Sequence, residues 1–129
     1  MKTYLLMASL AALVAACATP DKAGVRNPEF FRQVANKTLI ESSKPYTDVA
    51  SCFEETAALL PMSSFTEDKE ATRTTYRLRG FGYTFEEIDF EETEGGSRMT
   101  TFIAPNLDDK WLQDFARDRG AALNACAGA

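Results

Sequence analysis

The chain has 129 residues, of which 45% are hydrophobic and 26% charged, with a formal net charge of -5. A chain of this length forms one globular domain. An acidic protein gains nothing from the counterion release that drives nucleic-acid binding, so nucleic acid is excluded as an expected partner. The sequence contains no His, which removes Ser-His-Asp and Cys-His catalysis and most zinc and copper sites.

The first residues have the pattern of an export signal. Lys2 gives a positive start, residues 5–16 are almost entirely apolar, and the run closes on Val14-Ala15-Ala16-Cys17. The apolar run is too short for a permanent membrane helix, which takes about 20 residues. A charged start, a short apolar core and small residues before a cut predict a signal peptide over residues 1–16.

The motif Val14-Ala15-Ala16-Cys17 resembles the lipobox of bacterial lipoproteins, which has an aliphatic residue, two small residues and a cysteine. The resemblance implies that Cys17 carries a diacylglyceryl group, that the signal is cut before it, and that its new amine is acylated, for example with palmitate. Ala18 implies the outer membrane, since Asp at that position favours the inner membrane in enterobacteria. Two or three acyl chains would hold the protein firmly on the periplasmic side of the membrane. The alternative is a plain signal peptide with an incidental cysteine.

The mature chain divides into a tether over residues 17–27 and one α+β domain over residues 28–129. The tether contains few apolar residues and is expected to be flexible. Asn27 and Pro28 are a typical helix start and predict a short N-terminal helix. Residues 37–43 are either a short strand or a continuation of that helix.

Two longer helices are predicted over residues 45–60 and 106–126. Val49, Phe53 and Leu60 belong to an apolar stripe at helical spacing, and Pro61 is expected to end the first helix. Asn106 is the expected N-cap of the second helix. Gly120 weakens that helix by about 1 kcal/mol relative to Ala, which predicts a kink or break.

Between the helices the hydrophobic period changes to two, which indicates strands over residues 72–79, 83–93 and 98–104. Two glycine-containing turns separate the strands. Within residues 83–93 the alternation of inward-facing apolar residues shifts by one position at Glu86-Glu87, which predicts a β-bulge there. The order helix, strands, helix predicts an α+β fold. We expect an antiparallel sheet of three or four strands with the two main helices packed on one face.

Cys52 and Cys126 remain once Cys17 is assigned to the lipid. An exported protein with two spare thiols usually pairs them, so a Cys52–Cys126 disulfide is predicted. The alternative is a pair of buried free thiols that act as small hydrophobic side chains.

The acidic strand over residues 83–93 carries the only candidates for acid–base or metal chemistry. Alternation is expected to spread its carboxylates along a solvated outer face, with arginines of the preceding strand as cross-strand partners. A calcium site is disfavoured because no Asp-x-Asp loop with Gly is present. No catalytic or metal-binding residue is assigned and no cofactor is expected. The possible interaction face consists of Arg73, Arg77, Arg79, Glu87, Asp89 and Glu91.

These features predict a non-enzymatic, membrane-anchored envelope lipoprotein that acts as a protein-interaction or structural accessory module. Its expected partners are the membrane, through Cys17, and another envelope protein. The alternative is a small-ligand or metal-binding lipoprotein with an apolar cleft lined by Tyr76, Tyr83, Phe85 or Trp111. An enzyme is a third possibility, with Asp and Glu as its only acid–base groups.

Overall fold

The computed structural model describes residues 23–128, so the predicted signal peptide, the lipobox and most of the tether lie outside the described residues. In chain order the elements are α1 (Pro28–Val34), β1 (Asn36–Ser42), α2 (Tyr46–Thr56), β2 (Ser63–Asp68), β3 (Arg73–Gly80), β4 (Tyr83–Thr93), β5 (Gly96–Ile103), α3 (Asp109–Phe115), a π-helical turn (Ala116–Gly120) and α4 (Ala121–Ala127).

The strands form one antiparallel sheet in the order β1-β5-β4-β3-β2. The α+β class is therefore confirmed, whereas the expectation of three or four strands is wrong because the sheet has five. The ambiguous segment 37–43 lies almost wholly in β1, which pairs with β5, and residues 63–68 add the opposite edge strand β2. Both additional strands are short and largely exposed, so their sequences have little of the apolar alternation that marks a central strand.

A β-bulge interrupts the pairing of β3 with β4, one residue before the predicted position. Leu78 lies opposite Glu86 and Arg79 opposite Thr84, which leaves Phe85 as the extra residue on β4. The extra residue turns both Phe85 and Glu86 toward the helices. Every second residue of β4 after Glu86 therefore also faces the core. The bulge therefore explains how an acidic side chain enters the interior.

The core lies between the sheet and the helices α2 and α4. The Phe53 ring of α2 contacts the rings of Tyr76 and Phe90, with centroids 5.3 and 5.6 Å apart. All three side chains are fully buried. We call this side of the sheet the helix face. The opposite side, which carries the alternate residues of β3 and β4 such as Arg77 and Glu87, is the outer face.

The helix α2 ends at Thr56, earlier than the predicted residue 60. Ala57 has an extended conformation, and the segment to Pro61 forms a loop in which Leu60 is exposed. The Cys52–Cys126 disulfide joins α2 to α4, which confirms the predicted pairing. The two cysteines are 74 positions apart, so the bond closes most of the domain into one loop.

The last helical segment begins two residues later than the predicted cap. Asp108, not Asn106, is the N-cap of α3, and its carboxylate accepts a bond from the Trp111 N–H. The Asn106 amide instead accepts from the Gly24 N–H and donates to the Gly24 carbonyl, both at 3.0 Å. The predicted irregularity at Gly120 corresponds to the π-helical turn, which ends at that residue.

The helix α1 begins as predicted, with the Asn27 side chain accepting from the Glu29 N–H. Phe31 is fully buried, whereas Phe30 is exposed. Arg32 extends from this helix over the outer face of β4. Among the helices of residues 23–128, none combines the length and apolarity that crossing a membrane requires.

Candidate functional site

The central strand β4 places acidic side chains on both faces of the sheet. Glu86 enters the core on the helix face, whereas Glu87 and Asp89 lie on the outer face. All three are nearly inaccessible to solvent. The expectation of a solvated carboxylate row is therefore wrong for these three residues, and each must be neutralised where it lies because an isolated buried charge is very costly.

On the helix face, Glu86 is the centre of a buried polar network. Arg119 donates through Nε to one carboxylate oxygen and through Nη2 to the other, the latter at 2.8 Å. The Tyr76 hydroxyl donates to Oε1 at 2.7 Å and the Trp111 Nε1–H to Oε2 at 3.2 Å. Glu86 and Arg119 have 0% and 2% of their surfaces exposed, so the ion pair is shielded from water.

This network fixes the protonation states of the groups around Glu86. Burial raises the pKa of Tyr76, and the negative charge of Glu86 raises it further, so the phenol stays neutral. Burial lowers the pKa of Arg119, but the bonds to Glu86 outweigh this and the net shift is upward. Tyr76 therefore remains a neutral donor and Arg119 a charged donor to Glu86 at neutral pH.

On the outer face, Arg32 and Arg77 cover the carboxylates of Glu87 and Asp89. Arg32 donates through Nε to Glu87 at 2.8 Å and through Nη2 to Asp89 at 2.8 Å, and it also pairs with the second Asp89 oxygen. Arg77 donates to the remaining Glu87 oxygen. Thr75 donates to Asp89 at 2.8 Å. One guanidinium thus bridges two carboxylates that are two residues apart on the strand.

The charges of this outer cluster reinforce one another. Burial alone would raise the pKa of Asp89, but the hydrogen bonds and charge of Arg32 and the bond from Thr75 outweigh it and lower this pKa. The bond to Asp89 raises the pKa of Arg32. Arg32 also lies over the Phe102 ring, with its guanidinium carbon 4.4 Å from the centroid, which adds a cation–π contact.

The structure brings together most of the residues of the predicted interaction face. Arg77 lies opposite Glu87, and Arg73 lies opposite Glu91 in the same pair of strands. Arg79 lies beyond the bulge, where it donates to the Thr84 hydroxyl at 2.6 Å rather than to a carboxylate. Because Glu87 and Asp89 are buried beneath arginines, the accessible members of the six predicted residues are the three arginines and Glu91.

Arg32 and Arg119 are the important residues that the sequence reasoning missed. Arg119 lies four residues after Phe115 and four before Leu123, so it stands within the apolar stripe of the last helical segment. Two sequence features together would have indicated the Arg119–Glu86 pair. One is a charged residue on an apolar helical stripe, and the other is an acidic residue at the point where the apolar alternation of the strand shifts by one. Arg32 had no such signal because it lies on the polar side of a short helix.

The aromatic residues of the proposed ligand cleft are packed rather than assembled around an opening. Tyr76 and Phe85 are buried, and Phe85 stacks on Trp111 with ring centroids 5.0 Å apart. Tyr83 lies under Arg26, 5.6 Å from the guanidinium carbon. A shallow polar cleft of about 590 Å³ occurs elsewhere, lined by Glu41, Ser42, Ser43, Thr93, Glu94, Gly95, Ser97 and Arg98. Residues 23–128 contain no group of three or more metal-binding side chains.

No protein-family model, curated protein or solved structure matches this chain.

Proposed function

We propose that this protein is a lipid-anchored envelope lipoprotein whose folded domain is a non-enzymatic module that binds another envelope protein. The lipobox-like motif at Cys17 supports the anchor, with the outer membrane as the proposed site. The Cys52–Cys126 disulfide is compatible with an oxidising compartment outside the cytoplasm. With those two thiols paired, Cys17 is the remaining cysteine of the chain.

The state of the buried carboxylates supports a non-enzymatic domain. Both oxygens of Glu86, Glu87 and Asp89 accept hydrogen bonds from arginines or from neighbouring polar side chains. A general acid or base must instead reach the reacting group of a substrate with a suitable pKa. These carboxylates therefore stabilise the fold, and no other residue type in the chain was a stronger catalytic candidate.

The observation that carries the interaction is the exposed edge strand β1. It pairs only with β5 among the described strands, and its Leu39 side chain is 56% exposed. Leu39 shares a row across the outer face with Thr100 and Asp89. An edge strand with an exposed apolar side chain can accept a strand from a partner, through main-chain bonds and a side-chain contact.

Site-specific photo-crosslinking in intact cells tests this proposal. A photoreactive residue at Leu39 or Arg77 should capture the same envelope protein, identified by mass spectrometry, while one at Glu54, on the solvent-exposed side of α2, should not. Substitution of Leu39 by Lys should abolish the capture from Arg77 without loss of folding. Equal capture from all three positions, or no capture from Leu39 and Arg77, would contradict a specific partner on this face.

A further inference from the structure

Residues 24–26, which the sequence assigns to the flexible tether, are bonded to the folded domain at one end of the sheet, so the domain begins earlier than residue 28. Val25 pairs with Thr84 through two backbone hydrogen bonds of 2.9 and 2.8 Å, and Arg79 donates to the Arg26 carbonyl at 3.2 Å. Thr84 is the second residue of β4, and Tyr83 separates it from the β3–β4 turn, which consists of Phe81 and Gly82. We call this end of the sheet the tether end. It comprises the β3–β4 turn, residues 23–27, the start of α1 and the loop 57–62.

Phe81 is an unusual residue for the turn it occupies. Phe81 and Gly82 have φ values of 54° and 83°, so both central residues of this tight hairpin are left-handed. Such turns favour Asn-Gly, and a bulky side chain in this conformation is strained. The ring is also 87% exposed. Neither turn geometry nor packing accounts for Phe at this position, and strain of this kind often marks a functional contact.

Other exposed apolar side chains lie at the same end. Six large hydrophobic side chains are exposed within residues 23–128, and four belong to the tether end: Phe30, Leu60, Met62 and Phe81. Met62 packs directly on Gly80, since a Cβ at Gly80 would lie 1.9 Å from the Met62 sulfur. Met62 is therefore next to the Phe81 turn. Exposed apolar groups on neighbouring segments, with Met62 beside the Phe81 turn, are typical of an interaction surface.

The opposite end of the sheet is acidic rather than apolar. Asp68 ends β2, and the turn that follows contains Lys69 and Glu70. Glu92 of β4 and Glu94 of the β4–β5 turn lie at the same end of the sheet. The tether end contains Arg26 and Arg79 beside the exposed Phe81. Glu29 at the start of α1 is a carboxylate of the tether end, so the two ends differ in their balance of charge. Arginines outnumber carboxylates at the tether end and carboxylates outnumber lysines in the opposite turns, which is the orientation that an anionic membrane surface favours.

The length of the tether decides which partner can reach this surface. Cys17 and Ala23 are separated by six residue steps, which span at most about 20 Å when fully extended. A small globular domain is about 30 Å across, so a folded protein does not fit between the anchor and the tether end. The occupant that the chain length permits is the lipid surface itself.

We propose that the tether end docks on the bilayer, with Phe81 entering the headgroup boundary and Arg26 lying at the level of the lipid phosphates. The inference rests on the proposed lipidation of Cys17. Docking of this end leaves the outer face and the β1 edge free to receive a protein partner, and it directs the acidic end into the periplasm.

Tryptophan probes on the complete lipidated protein test this orientation. Phe81→Trp and Leu39→Trp variants are reconstituted in vesicles of phosphatidylethanolamine and phosphatidylglycerol, with or without brominated acyl chains, and the unmodified chain gives the Trp111 background. After subtraction of the Trp111 background, we expect brominated lipid to reduce the emission of the tryptophan at position 81 at least twofold. The emission of the tryptophan at position 39 should not change. Equal quenching at both positions would overturn the docked orientation.

A second measurement separates the side chain from the turn. Phe81→Asn supplies the Asn-Gly pair that this turn favours, so its denaturation midpoint should equal or exceed that of the unmodified protein. Hydrogen exchange of residues 79–84 should slow on vesicles relative to detergent micelles, and Phe81→Asn should lose this protection while Leu39→Asn keeps it. Protection that survives in Phe81→Asn would overturn the role of Phe81.

Vesicle flotation of the unmodified protein distinguishes the two proposals. Flotation without selective quenching at Phe81→Trp contradicts the docking alone and leaves the lipid anchor standing. Absence of flotation contradicts the anchor, and with it the docked orientation.

Discussion

Arg119→Met tests the importance of the buried network at Glu86. The substitution keeps a long unbranched side chain but removes the guanidinium that neutralises a carboxylate with no exposed surface. Breaking a buried ion pair by removing one partner costs about 3–5 kcal/mol. Domains of this kind have a total stability of about 5–15 kcal/mol, so the loss is a large fraction of it.

Urea denaturation at pH 7 is the appropriate assay because urea leaves ion pairs unscreened. A loss of this size should lower the midpoint by about 2 M, taking about 2 kcal/mol per M as the slope. Arg117→Met is the matched control: it makes the same change in the same π-helical turn, where the guanidinium is exposed and pairs with Asp114 and Asp118. We expect no resolved change for this control.

The double variant Glu86→Leu with Arg119→Met separates charge from packing. Removing both charges should recover part of the stability lost in Arg119→Met, because no unpaired buried charge remains. Full recovery is not expected, since Tyr76 and Trp111 lose their acceptor. Two results would contradict a stabilising ion pair. Arg119→Met could be no more destabilising than Arg117→Met, or the loss in the double variant could equal the sum of the losses in Glu86→Leu alone and Arg119→Met alone.

The remaining stability predictions concern pH and the disulfide. The lowered pKa of Asp89 contributes stability that is present at neutral pH and is lost as the pH falls below about 4 through the native pKa; Asp89→Asn should flatten this acid limb in urea melts, and an unchanged limb would contradict the outer cluster. The raised pKa of Tyr76 contributes stability that is present below about pH 10 and is lost as the pH rises above it. Tyr76→Phe should therefore lose less stability at alkaline pH than the unmodified protein. Identical urea melts of the two proteins at alkaline pH would contradict this role. Replacing Cys52 and Cys126 by Ala should cost at most about 4.5 kcal/mol by the chain-entropy model; a double variant as stable as the parent would contradict a structural bond.

The sequence was most informative where burial imposes a period on it. The strand Tyr83–Thr93 has the bounds that its alternation predicts, and the Cys52–Cys126 pairing followed from the cysteine count. The edge strand β2 was not assigned as a separate strand because Ser63–Asp68 is short and polar. The predicted end of α2 at residue 60 was wrong because the apolar residues after Thr56 keep helical spacing although they lie in a loop.

The charged clusters could be predicted only in part, because pairing between residues far apart in the sequence completes them. The expectation that Arg77 pairs with a carboxylate of the next strand is confirmed by Glu87, since register alone brings them together. Arg32 reaches the same carboxylate from 55 positions away, and Arg119 reaches Glu86 from 33 positions away. The apolar stripe around Arg119 and the slip in strand alternation near Glu86 mark these two residues as candidates for a buried pair, whereas no local pattern indicates the partners of Arg32.

The measurement that tests the central proposal most directly is mass spectrometry of the N-terminal peptide from protein purified out of the cell envelope. We expect a mature chain that begins at Cys17, with a diacylglyceryl group on its sulfur and the peptide of residues 1–16 removed. A Cys17→Ser variant should retain residues 1–16 and leave the membrane fraction on mild extraction. A mature chain cut at another position with an unmodified Cys17, or a Cys17→Ser protein that is processed and still anchored, would contradict lipidation at Cys17.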